Sequence, residues 1–185
     1  MQLKKQGVAV LLGAAAFMSA APGSATSLRK LSFEEMVADS AVIVQGVVDS
    51  SVSKQTEGGV FTTTKVYVSD AIVGNVGSVV EVVAPGGVFT SGKFKLAETY
   101  PGAPRFISGG EVVLFLESMP AQKGYEVVGF SQGVMPVEET AQGKAVRSLN
   151  APGGKMAVSD LKSRILEIRA SKKSGAKSGV RGLAD

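Results

Sequence analysis

Histidine, cysteine and tryptophan are absent from all 185 residues. Without imidazole there is no ordinary general base at neutral pH and no Ser-His-Asp arrangement. Without thiols there is no cysteine nucleophile and no usual zinc site. Disulfides are excluded too, which says nothing about compartment, because an oxidising space permits bridges without requiring them. Aromatics make up only 6% of the chain, so a local cluster of them stands out. A Ser–Lys hydrolase needs no histidine. However, Ser159-Asp160-Leu161-Lys162 stands at the head of an expected helix, where Ser159 is explained as a cap. The expectation is a non-enzymatic protein with no catalytic residues, no metal site and no cofactor.

What is present is a sizeable apolar fraction, 44%, enough to build a core. The formal charge of +4 is unevenly placed. Residues 26–154 carry ten bases and thirteen acids, whereas 155–185 carry eight bases and three acids. A mildly acidic body with a basic tail is a poor match for nucleic acid, which is not expected as a partner. The tail implies at most a weak contact with an anionic surface.

Residues 1–25 read as a secretory signal. Lys4 and Lys5 precede the apolar run Gly7–Met18, and Gly23 and Ala25 fit a small-x-small cleavage site. The mature chain is expected to start near Thr26, in a periplasmic or extracellular location, with no membrane span after cleavage. The apolar run is too short to cross a bilayer comfortably.

Ser32-Phe33-Glu34-Glu35 is a capping box that opens a short helix over about 32–39. Strands are expected over 41–53, 60–73, 78–84, 111–117 and 125–130, with an edge piece over 131–137 that Pro136 keeps from being central. Gly46 interrupts the first strand as a bulge or bend would. Thr62, Thr64, Val66 and Val68 share one face of the second. Residues 85–110 form a Gly/Pro-rich loop, 138–155 a polar connector, 156–170 an amphipathic helix capped at Ser159, and 171–185 a disordered basic tail. Five short strands and no crossover helices predict a mainly β fold over 26–137. An OB-like barrel with a long, bent first strand fits best. The expected helix between its third and fourth strands is replaced by the 85–110 loop.

Several motifs resemble a family of small secreted bacterial proteins. Met36-Val37-Ala38-Asp39-Ser40-Ala41-Val42-Ile43-Val44-Gln45-Gly46-Val47-Val48 is similar to its "ADxVVxGxV" opening. Ala71-Ile72-Val73-Gly74, Pro85-Gly86-Gly87, Gly102-Ala103-Pro104-Arg105-Phe106 and Gly129-Phe130-Ser131-Gln132-Gly133 continue the match over about 31–137. The resemblance implies secretion rather than an activity. The opening is also similar to the netrin-like domain, the OB barrel of the tissue inhibitors of metalloproteinases. Those inhibitors place an N-terminal cysteine on the target's zinc. This chain has no cysteine, so that likeness implies a fold alone.

Within the long loop, Phe89, Phe94, Tyr100 and Phe106 could stack on a ligand or peptide, with Lys93 and Arg105 supplying charge. Equally, the aromatics could pin the loop to the barrel. Lys95 would add to the charge of the same surface. The loop glycines read as turn residues rather than a phosphate cradle, since no helix stands behind them. Gln132 is expected to satisfy a buried backbone group. The leading expectation is a binding module that recognises a protein or peptide through residues 85–110. Alternatives are an inhibitor or chaperone-like partner of a secreted protease, and a structural component of an extracellular matrix or surface assembly.

Overall fold

Ser32 opens the first helix as its spacing predicts. In the computed structural model, which describes residues 29–120, 124–147 and 154–178, helix α1 spans Phe33–Asp39. The Ser32 hydroxyl accepts from the Glu35 N–H at 3.1 Å, and the Glu35 carboxylate accepts from the Ser32 N–H at 2.8 Å. The expected signal segment 1–25 and the start at Thr26 lie outside the described residues.

The Ser32 N–H, then the Arg29 guanidinium at 2.7 Å, pull the Glu35 pKa down to about 2 from an ordinary 4.5. Because the folded value is the lower one, this contribution is in place above about pH 4.5. It is lost as pH falls through about 2. Arg29→Ala should therefore move the Glu35 midpoint up toward 4.5, read by NMR titration of its side chain.

Strand β1 spans Val42–Thr56, β2 Gly59–Val73 and β3 Val79–Pro85. β6 spans Glu111–Met119 and β7 Gly124–Val127. β1 pairs antiparallel with β2, β2 with β3, β6 with β7, and β1 again with β6. β3 and β7 meet in parallel at Val82 and Tyr125. The run β1–β2–β3–β7–β6 thus returns to its own first strand, and the whole sheet counts eight strands. The register of β1 on β2 shifts between Ile43 and Val44, between Gln45 and Gly46, and between Val48 and Ser50, so the glycine marks the middle of three irregularities.

The edge piece expected over 131–137 becomes a 3-10 turn and a strand that is not at the edge: it pairs with β6 up to Pro136 and with a further strand from Val137 on, so Pro136 itself is paired on one side only. β8, Val134–Thr140, lies on the same edge of β6 as β7, after a 3-10 turn at Phe130–Gly133. β9, Gly143–Arg147, and β10, Lys155–Ala157, follow it outward. Residues 138–140 and 143–147 are therefore paired strand, which corrects the expected 138–155 connector. β8 and β9 close through the Thr140–Gly143 pair around a two-residue turn, and β8 is held on the edge of β6.

Helix α2 spans Val158–Ser178, beyond the expected 170 and into the expected disordered tail. Ser159 lies inside the helix, with its hydroxyl directed at the Asp160 carboxylate, and does not cap it. The last expected turn and the first turn of the extension both reach α1. The Arg169 guanidinium donates to the Ser40 carbonyl and the Lys172 ammonium to that of Ala38 at 3.4 Å. Both cations thus sit at the carbonyl end of α1, where the helix dipole favours positive charge. Arg181 lies outside the described residues.

Strand alternation divides the core in two. Val42, Val44, Val48, Val66, Val82, Leu114 and Leu116 face inward between the ring of strands. Ile43, Val113 and Phe115 face the other way, against Met36, Val37, Leu161 and Ile165 of the helices. The start of β1 is apolar on both faces because both faces are covered. No helix among the described residues is long and apolar enough to cross a membrane.

Candidate functional site

The inner face of the ring changes character along its length. Where Val48 opposes Val66 it is apolar. One and two steps further toward the β1–β2 turn, Ser51 opposes Thr64 and Ser53 opposes Thr62. The paired hydroxyls lie 2.8 and 2.9 Å apart. Opposite them, Val82 and Ala84 of β3 complete the wall. The result is a hydroxyl-lined mouth above a valine floor, with a cavity of about 330 Å³.

The 85–110 segment closes over this mouth, and it is not irregular. β4, Gly87–Ser91, and β5, Phe94–Glu98, form a separate two-stranded hairpin around Gly92-Lys93. Its roots are stapled to β1 and β2. Gly86 N–H donates to the Val60 carbonyl at 2.7 Å, and Thr62 Oγ1 to the Gly86 carbonyl at 2.6 Å. The Glu98 carboxylate accepts from the Val60 N–H at 3.0 Å, and Val88 N–H donates to Ser53 Oγ at 3.3 Å. Gly87 comes so close that a Cβ there would collide with Ser53 Oγ and Thr62 Oγ1, and its φ of +136° suits only glycine. After the hairpin, Ser108 Oγ donates to the Asp49 carbonyl at 2.5 Å, and the Val48 N–H to that of Gly110 at 2.9 Å.

The six expected site residues fall into two groups. Tyr100, Arg105 and Phe106 line the mouth. Phe106 also packs on the inner core, so it is part anchor and part wall. Phe89, Lys93 and Phe94 belong to the hairpin. Phe89 is half-buried opposite Leu96, Lys93 occupies the turn, and Phe94 is 83% exposed. Val88, Leu96 and Tyr100 are exposed beside them. The hydroxyl set and Glu98 were not among the expected residues, although the Thr62–Thr64–Val66 face carries the signal for them.

No family model, curated protein or solved structure matches the chain. Function is therefore argued from the residues alone.

Gln132 takes the structural role expected of it. Its carbonyl accepts from the Leu31 N–H at 2.9 Å, and its amide donates to Arg29 and Gly129 carbonyls at 3.0 and 3.1 Å. A larger groove of about 650 Å³ lies between α1, α2 and the outer strands, over Met36, Met135 and Met156. Its rim runs to Lys30 and Arg147, at the limits of the described residues. Glu117 and Glu126 face each other across β6 and β7. Burial, then Glu126 and Asp39, hold the Glu117 carboxyl above its usual range. Among the described residues no group of three or more acidic side chains is placed to hold a metal ion.

Proposed function

We propose that this chain is a secreted, non-enzymatic binding module on a five-stranded OB-like barrel, recognising a protein or peptide through the β4–β5 hairpin and the mouth beneath it. The barrel reading is supported by the strand order returning to β1, by the parallel meeting of β3 and β7, and by the bend at Gly46. Membership of the secreted family that the motifs resemble, and cleavage of residues 1–25, belong to the same reading.

The observation that carries it is the hairpin itself. Four backbone and side-chain bonds hold its roots, yet it turns Phe94 and Leu96 to solvent rather than to the core. A tethered projection that leaves Phe94 largely uncovered suits association, because much of the ordering cost has been met before binding. The six-residue split also separates roles: Phe94 serves binding and Phe106 serves packing as well.

The test compares Phe94→Ser and Phe106→Ala. A partner crosslinked through the hairpin should lose about 2 kcal/mol of affinity on Phe94→Ser, roughly thirtyfold in Kd, as an exposed aromatic anchor would. The melting temperature should stay put, since surface changes of this kind move stability little. Phe106→Ala should lower it. A partner bound equally well by Phe94→Ser would place recognition elsewhere. If the partner is a protease whose activity falls on binding, the module is an inhibitor.

A further inference from the structure

We infer that the outer edge of β5 is a strand-pairing site for an extended segment of another protein in which apolar and acidic residues alternate. This rests on the reading of the hairpin as the recognition surface, and it names the partner's chemistry.

The phase of the hairpin decides which backbone groups point where. A two-residue turn at Gly92-Lys93 makes Ser91 and Phe94 the hydrogen-bonded closing pair. Phe89–Leu96 and Gly87–Glu98 are then also bonded pairs. Thr90–Lys95 and Val88–Ala97 are the wide pairs, whose N–H and C=O groups point away from the hairpin. The Val88 N–H fixes this phase independently, because it donates to Ser53 of β1, on the side away from β5. The outer edge of β4 therefore faces β1. The outer edge of β5 presents Lys95 and Ala97, and among the described residues β5 pairs with β4 alone. An open strand edge of this kind is a template for an added strand.

The side chains state what that strand should carry. Phe94 and Leu96 share one face, 83% and 38% exposed, and Lys95 and Ala97 the other. Lys93 sits at the tip. Between Gly87 and Glu98 the only acid is Glu98, whose carboxylate is occupied by the Val60 N–H. A pairing strand gains by laying apolar residues over Phe94 and Leu96 and a carboxylate beside Lys95. A second copy of this chain fits less well. Pairing β5 with itself around a two-fold brings both Lys95 side chains onto one face with no acid between them.

The probes are two labelled heptapeptides, alternating Val-Glu and alternating Val-Lys, titrated against the full chain by fluorescence anisotropy. The glutamate peptide should bind at least about fivefold more tightly. Lys95→Glu should invert that order. Ala97→Pro removes one outward N–H and no bond within the hairpin, so binding should weaken about tenfold at unchanged melting temperature. N-methylating alternate amides of the glutamate peptide should do the same, and decides the matter if Ala97→Pro disturbs the fold. Equal binding of both peptides, or indifference to Ala97→Pro and to N-methylation, overturns the inference. A dimer that Ala97→Pro converts to monomer also overturns it, by making the occupant a second copy. If the crosslinked partner is lost on Phe94→Ser but kept on Ala97→Pro, the edge inference fails while the binding-module reading stands. If neither change matters, both fail.

Discussion

Phe115→Ala should lower the unfolding free energy by about 3–5 kcal/mol, a large share of what a domain of this size has. Phe115 is fully buried and is the largest such side chain among the described residues. Its ring meets that of Phe33 edge-on, with centroids 5.9 Å apart and planes at 76°. Phe33 in turn lies under the Arg164 guanidinium, 4.9 Å from the ring centroid, and Arg164 reaches Glu34 at 2.9 Å. One stack therefore links β6 to α1 and α1 to α2. Truncation to alanine loses the ring pair and leaves a cavity under both helices, which can close only if they move. The change should appear in urea melts as a lower midpoint at constant slope. The hairpin lies away from this cluster, so the folded fraction should keep its affinity for hairpin-binding peptides. A loss below about 1 kcal/mol would mean that the helices do not depend on this face of β6.

How much of this was legible depended on range. The Ser32–Glu35 box is written within four residues, and both of its bonds form. Gly46 needs only its own strand to be read as a bend. The two-sided apolar start of β1 announces burial on both faces, and Ile43 and Val44 are each fully buried. The β4–β5 hairpin was not legible, because neither of its faces enters the core. Hydrophobic alternation, the signal that marks strands, is therefore confined to Phe94-Lys95-Leu96, and Gly92-Lys93 is not a strong hairpin turn. The start of β8 was legible as the edge piece 131–137, but its continuation to Thr140 and all of β9 were not, because their order comes from β6, which is distant in sequence. The end of α2 was missed because Lys172 looks like a tail charge until α1 is placed beneath it. The site followed the same rule. Tyr100, Arg105 and Phe106 stood out as aromatic and charged residues in a loop. Ser51, Ser53, Thr62 and Thr64 look like ordinary strand residues until the pairing of β1 with β2 brings their hydroxyls together.

Gly46→Val should cost about 3 kcal/mol or more and should weaken binding at the mouth as well. A Cβ at this position would collide with the carbonyl oxygen of Tyr67 and lie 2.9 Å from Val66 Cγ1. The first of these is backbone, so no rotamer change relieves it. The position also carries the bend. Up to and just past it, β1 pairs with β6 from Val42 to Val47; at it, the register on β2 slips; beyond it, β1 delivers Ser51 and Ser53 to the mouth. Straightening the strand therefore sets its two pairings against each other, and whichever yields displaces the hydroxyls from Thr62 and Thr64. Gly77 provides the control. Nothing lies within 4 Å of a Cβ there and no positive φ is required, so Gly77→Ala should be neutral or stabilising by up to about 1 kcal/mol through the unfolded chain. Thermal melts of the two variants, paired with peptide titrations, separate the outcomes. If Gly46→Val melts and binds like Gly77→Ala, then β1 is not held in its bend by contact with Tyr67, and the mouth does not depend on that bend. A loss of stability with unchanged affinity would confine the role of Gly46 to the fold and detach the hydroxyl rungs from recognition.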